Sequence, residues 1–366
     1  MEFFDLKIIN IIQETADTKT FYFDIPDQIK EKFTFLPGQY LTLNAVINGE
    51  NIRRPYSICT IPGQNKIGVS VKLVKNGKMS HYLHKDVFTD MSLEVMPPMG
   101  HFNLTPDHDK SRIHYFIAAG SGITPIMSMI QSILEEEPKS ICHLLYGSRS
   151  EAEIIFRTEL EHLEKKYAGQ LSVTHILSKP EKAVAKGVAG WFGKKEAAWK
   201  GLSGRISASV VNNFLSENHP KYTDRHYYIC GPGDMIEKTE KHLLSLHIEN
   251  KCIHKEYFSS PASPEDKADS VNLINTSSIA VTLKGEEHVL NVKNNEIILD
   301  ALVAAKLDPP YSCTSGACST CMAKVTTGSV RMDACYALEE DEIDAGYILT
   351  CQARATSEEV KITFDI

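Results

Sequence analysis

Apolar and polar side chains alternate in short runs along the first hundred residues. The stretches "KTFYFDI", "QYLTLNAVI", "SICTI" and "GVSVKLV" read as strands with one buried and one wet face, because successive strand side chains point to opposite sides. Gly and Pro separate these runs, which predicts a small antiparallel β unit over 1–104. From about residue 111 the pattern changes. "RIHYFIAA", "ICHLLYG", "LSVTHILS", "RHYYIC" and "CIHKEYF" read as short buried-strand runs. Helical spacing fills 126–136 and 152–167 between them, and the alternation of strand and helix predicts a parallel α/β sheet over 105–258. "SSPASPEDKADS" is rich in Pro, Ser and charge and predicts a linker over 259–275. The remainder, 276–366, opens as a strand pair, "SIAVTLKG" and "HVLNVKN", and turns helical at "EIILDALVAAKL", an α+β pattern. The expectation is a multidomain chain of three folded units.

Composition agrees with that division. At 366 residues the chain is too long for one ordinary core, and 42% hydrophobic with 23% charged residues is globular. "MEFFDLKIINIIQE" lacks the basic start, long apolar core and small-residue cleavage site of a secretion signal. The most apolar stretch, 113–130, is broken by Gly120, Ser121, Gly122, Thr124 and Pro125, so no membrane span is expected. The expected location is the cytoplasm, where nine cysteines, an odd number, argue against a disulfide framework. Net charge is −8, of which −7 falls on residues 276–366 with their fourteen acidic and seven basic side chains. That asymmetry disfavours nucleic acid as partner and points the C-terminal unit toward a basic surface, with solubility alone as the plain alternative.

Cys313, Cys318 and Cys321 stand as C-x4-C-x2-C, and Cys351 follows in "ILTCQ". Structural zinc sites usually pair two C-x2-C hooks, and only one is present here. The spacing is that of plant-type [2Fe–2S] ligation, with zinc or buried thiols as the alternatives. Ser312, Thr314, Ser315, Gly316 and Ala317 are small enough for a loop to wrap a cluster with backbone N–H groups aimed at sulfur. Over its last ninety or so residues the chain resembles the plant-type ferredoxin family. That resemblance implies a β-grasp fold, with Cys313 and Cys318 on the outer iron and Cys321 and Cys351 on the inner one.

A cluster passes single electrons while NAD(P)H delivers a pair as hydride, so a flavin is expected between them. "RRPYSI" carries Arg54, Pro55, Tyr56 and Ser57, and resembles the R-x-Y-S signature of the ferredoxin–NADP reductase family. The resemblance implies that Arg54 pairs with the pyrophosphate, Tyr56 packs on the flavin and Ser57 bonds near its N5. "GQY" precedes this motif and "VKLVKNGKMSHYLH" follows, adding Val71, Lys72, Gly77, Lys78, Met79 and Ser80. The last four open a helix whose free N–H groups suit a phosphate. "PPMGHF" resembles the segment that in this family accompanies FAD. His81 and His84 lack matching carboxylates and read as part of that helix, not as a metal site.

In the α/β unit "FIAAGSGITPI" runs from strand through Gly120, Ser121 and Gly122 to Thr124 and Pro125, a backbone that a pyrophosphate can approach. "YYICGPGDMI" resembles the family's C-G-P-x-x-M, implying that Cys230 lies beside the nicotinamide, with Gly231, Pro232 and Met235 around it. "HKEYF" resembles a segment that borders the flavin in related reductases, with Glu256 and Phe258 at the matching positions and a core Phe at a strand end as the plain alternative. Arg149 and Ser150 follow the second strand, where an Arg favours NADPH, although NADH is the other candidate. Arg205 is a second candidate for the same phosphate. "EKAVAKGVAGWFGKKEAAWKGLS", holding Trp191 and Trp199, reads as a surface excursion, with a lid or a docking element as the alternatives.

The unit order resembles the reductase components of multicomponent oxygenases. It implies hydride from NADPH to FAD, then single electrons to [2Fe–2S] and on to a separate oxygenase or other redox protein. Ser57, Cys230 and Glu256 are the residues expected nearest the chemistry. The alternatives are a stand-alone NAD(P)H:acceptor reductase, the reductase of a Rieske-type or ketosteroid hydroxylase, and an assembly or zinc-binding scaffold.

Overall fold

The computed structural model of the chain describes residues 2–181, 199–258, 276–293 and 295–366. The expected linker and most of the excursion, Trp191 included, lie outside the described residues.

The alternating N-terminal runs form a six-stranded antiparallel sheet in the order Glu50–Ser57, Tyr40–Ile47, Ser92–Met99, Phe4–Thr15, Thr18–Asp24, Lys66–Lys72. Its edges meet. Ile58 bridges to Val69, and the Cys59 N–H donates to the Gly68 carbonyl at 2.9 Å, rolling the sheet into a barrel. The inward positions Phe21, Phe23, Leu41, Leu43 and Val69 fill it, and the helix Lys78–Lys85 adds Met79 and Leu83 to the same core.

The second sheet is parallel throughout, in the order Leu202–Ser203, Leu171–Leu177, Ile141–Ser148, Ile113–Ala119, Arg225–Gly231, Ile253–Tyr257. Strand order reverses between Ile113–Ala119 and Arg225–Gly231, and such a switch point is where open α/β sheets bind ligands. The helix after it runs Ile123–Glu136, three residues ahead of the periodic pattern. Pro125 sits in its first turn, where N–H groups have no intrahelical partner to lose. The helix expected over 152–167 is in fact a short 3-10 turn, Glu151–Glu153, followed by Arg157–Lys166. Phe156 between them takes a left-handed φ of 58°, which interrupts the helix. Leu202–Ser203 is too short to leave a periodic trace.

One buried charge ties the base of this unit together. Glu137 is fully buried and accepts from Arg112, from Ser140 Oγ at 2.6 Å and from the Asp107 N–H at 2.9 Å, with His114 Nε2 at 3.3 Å. Burial alone would raise its pKa, but these contacts outweigh it and hold the carboxyl at about 2.

The C-terminal sheet is mixed, in the order Glu286–Lys293, Thr276–Leu283, Glu359–Thr363, Met322–Thr327, Tyr347–Leu349. Thr276–Leu283 and Glu359–Thr363 are parallel, and the helix Ile298–Ala304 packs Ile298 and Leu302 into the core beside them, as in a β-grasp. The cysteine loop lies between that helix and Met322. Among the described residues no helix is long and apolar enough to cross a membrane.

Candidate redox site where the three units meet

A cleft of about 830 Å³ opens where the barrel, the ends of the parallel strands and the cysteine loop come together. Its barrel wall is the end of Glu50–Ser57, bringing Arg54, Pro55, Tyr56 and Ser57 to the opening, with Lys72 from Lys66–Lys72. Val71 differs. It turns into the barrel core, and its carbonyl lies 2.9 Å from His84 Nε2. His81 Nδ1 is likewise 2.9 Å from the Gly77 carbonyl, so His84 fastens the helix to the strand Lys66–Lys72 and His81 to the preceding loop. Gly77, Lys78, Met79 and Ser80 border the cleft, and the helix start carries no side-chain cap, which leaves N–H groups for a phosphate.

The nucleotide unit contributes Ser121 and Thr124 from the switch-point turn and Glu256, Tyr257 and Phe258 from the last parallel strand. Ser57 Oγ donates to Glu256 Oε2 at 3.5 Å, joining the two units. Burial pushes the Glu256 carboxyl up to about 8, with the Ser57 contact pulling the other way. A half-buried carboxylic acid beside the expected flavin position can hold a proton near neutral pH.

Cys313, Thr314, Ser315, Ala317 and Cys318 form the third wall. The Ser315 N–H donates to Cys313 Sγ at 3.4 Å. Contacts from the Cys318 and then the Cys351 thiol pull the Cys313 thiol down, and Cys351 does the same to Cys321. Cys321 and Cys351 sit deeper, among Leu299, Leu338 and Leu349. Among the described residues no three His, Cys, Asp or Glu side chains gather as for one bound ion. A two-iron cluster asks instead for two thiol pairs, and Cys313 with Cys318 and Cys321 with Cys351 fit that donor set. Gly316 has φ +74°, and a Cβ there would press on the Ala334 carbonyl at 2.9 Å, so the loop needs glycine.

Several expected residues stand back from the cleft. Cys230 is buried at a strand end, and burial drives its thiol well above the usual range. A Cβ on Gly122 would run into the Cys230 carbonyl, and one on Gly231 would crowd Ala119 and Met235. These glycines therefore permit close packing at the switch point, with Gly120, Pro125 and Pro232 around them and outside the cleft lining. Arg149 is exposed after Ile141–Ser148, its carbonyl accepting from the Lys179 N–H at 2.7 Å, and Ser150 is half-buried beside it. Arg205 is also exposed. Cys335, near the cluster cysteines in sequence but outside their spacing, is half-buried.

Arg53 and Tyr40 are among the cleft residues to which the sequence reading gave no role. Arg53 is buried, donates to Asp308 Oδ1 at 3.2 Å, and lies over the Tyr311 ring at 4.3 Å and the Phe3 ring at 4.9 Å. Tyr40, quoted within "GQY", reaches the cysteine loop. The doubled Arg of "RRPYSI" was the available signal for the first. The volume, the uncapped helix start and the Tyr56 face fit a flavin nucleotide.

Comparison with known proteins agrees with this geometry. Residues 5–104 match the oxidoreductase FAD-binding domain, 116–241 the oxidoreductase NAD-binding domain, and 281–356 the 2Fe-2S iron-sulfur cluster binding domain. The chain is 36% identical to a subunit of 1,2-phenylacetyl-CoA epoxidase from Escherichia coli (strain K12), across 99% of this chain and 98% of that one. It is 32% identical to the ferredoxin reductase component of 3-ketosteroid-9-alpha-monooxygenase from Rhodococcus rhodochrous, across 98% and 96%. The fold is shared with phthalate dioxygenase reductase, at a TM-score of 0.59, 23% identity and coverage of 99% and 98%.

Proposed function

Since the chain belongs to the ferredoxin–NADP reductase family that carries a C-terminal [2Fe–2S] ferredoxin domain, we infer that it draws hydride from NADPH and supplies single electrons to a separate cytoplasmic oxygenase, most like phenylacetyl-CoA epoxidase. One observation carries this reading: the flavin-motif residues, Glu256 and Phe258, and Cys313 and Cys318 line one continuous cleft. FAD held there would take up the electron pair of one hydride and release it as single electrons. Every other role falls to the chain. Arg54 and the Lys78–Lys85 helix start hold the pyrophosphate, Tyr56 covers the ring, and Ser57 with Glu256 holds a proton at its edge. Ser121 and Thr124 of the switch-point turn, which line the cleft, receive the nicotinamide half, with Gly122 and the Cys230–Gly231 strand end packed directly behind them. Arg149, the exposed cation after the second strand, pairs with a 2′-phosphate. The three units correspond to 1–104, 105–258 and 276–366, joined by a linker at 259–275.

The exposed helix Glu340–Asp344, capped by Glu339 and Glu342, presents the acidic face expected to meet a basic partner. Turnover with a candidate oxygenase, followed against NADPH, NADH and salt, tests the reading. The expected outcome is preference for NADPH, a tenfold or greater rise in KM for NADPH alone in Arg149→Glu, and coupling that weakens as salt rises. Equal use of both nucleotides by the wild type would refute the Arg149 assignment. Salt-independent coupling would favour a stand-alone reductase.

A further inference from the structure

Tyr40 begins the strand Tyr40–Ile47, opposite Ser57 in register, and lines the cleft while only 4% exposed. Its ring has a shaped seat. Gly100, at φ +118°, faces it, and a Cβ there would stand 2.9 Å from two ring carbons. The Tyr40 hydroxyl lies 2.8 Å from Thr320 Oγ1, and Thr320 Oγ1 lies 3.4 Å from Cys318 Sγ. Two consecutive contacts thus lead from the flavin barrel to a sulfur of the cysteine set. The other barrel contacts of this face, Thr42 Oγ1 to Ser312 Oγ at 2.9 Å and Arg53 to Asp308, reach the same unit without touching a sulfur.

The direction of the chain follows from proton counting. A free Cys318 thiol donates to Thr320. As a cluster ligand it is a thiolate with no proton to give, so Thr320 becomes the donor to sulfur. Thr320 has one proton, which leaves Tyr40 to donate to Thr320 Oγ1. Burial keeps the Tyr40 phenol protonated well above its usual range. Hydrogen bonds donated to ligand sulfur favour the reduced, more negative cluster, and a chain of donors polarises the last of them.

We propose that Tyr40 and Thr320 are positioning residues through which contact with the flavin barrel raises the reduction potential of the cluster. The proposal rests on the [2Fe–2S] reading above. Its mechanistic consequence is that the cluster holds an electron more strongly while the barrel and the cysteine loop touch.

The test is an equilibrium redox titration of the full chain loaded with FAD and cluster, following the reduced cluster by electron paramagnetic resonance. Tyr40→Phe removes one hydroxyl and is expected to lower the reduced-to-oxidised ratio at fixed potential about threefold, or ~30 mV for a one-electron couple. Thr320→Val is expected to lower it further, and Thr320→Ser to restore it. Because Tyr40 acts through Thr320, the double variant should match Thr320→Val alone. Thr42→Val, a lost contact at the same face, should leave the potential unchanged. An unchanged potential in Tyr40→Phe, additive shifts in the double variant, or an equal shift in Thr42→Val would each overturn the proposal. Should Thr320→Val not retain its cluster, Tyr40→Phe against Thr42→Val still decides. A wild-type chain that takes up no cluster would overturn the underlying reading as well.

Discussion

Glu256 has the most displaced carboxyl in the cleft, held up near 8 by burial against an ordinary 4.5. The folded chain therefore binds more protons than the unfolded chain between those values. Its stability falls as pH rises through that window and is undiminished below it. Glu256→Gln removes the cost of the charged form. The variant should match the wild type near pH 4.5 and exceed it by ~2 kcal/mol at pH 8, less than the whole shift because the cleft admits water. Urea denaturation across pH measures this in the FAD-free chain, and parallel curves would rule the assignment out. Glu256 was legible from "HKEYF" because the motif is local. The Arg53 contact with Asp308 was not, because those residues lie 255 apart in sequence and meet only through packing of two units. Cys230 was legible as a residue, but its full burial at a strand end follows from the neighbouring strands.

Strands and helices were legible where a period had room to repeat. The central parallel strands Ile113–Ala119, Ile141–Ser148 and Arg225–Gly231 stand out as buried runs because both faces of the sheet carry core side chains. Two misreadings have local backbone causes: Phe156 breaks a helix by its left-handed φ, and Leu202–Ser203 is too short to show alternation. The switch-point turn shows what its glycines do. Gly120 has φ +57° with open space where a side chain would go, whereas Gly122 abuts the Cys230 carbonyl. Gly120→Ala should cost only its backbone conformation, about 1 kcal/mol. Gly122→Ala forces two elements apart and should cost ~1–3 kcal/mol and weaken nucleotide binding. Denaturation and nucleotide titration of both variants check this, and a Gly122→Ala chain as stable as the wild type would contradict the packing.

At the scale of the whole molecule, three periodicities and three motif sets indicated three units in order. Their mutual placement did not show in the sequence, because "SSPASPEDKADS" carries no signal of direction. In the structure the cysteine loop closes the flavin cleft, with Tyr40, Thr42 and Arg53 all reaching into the C-terminal unit. Tyr257 of the nucleotide unit packs on Tyr336, their ring centroids 5.1 Å apart. The acidic face of Glu340–Asp344 is exposed, available to a partner. A chain arranged this way moves electrons from flavin to cluster within itself. Rapid mixing of the fully loaded chain with NADPH under anaerobic conditions, over a tenfold range of protein concentration, tests that most directly. Cluster reduction is expected to follow flavin reduction at a rate independent of protein concentration. A rate that rises in proportion to protein concentration would contradict it, because electrons would then be passing between molecules.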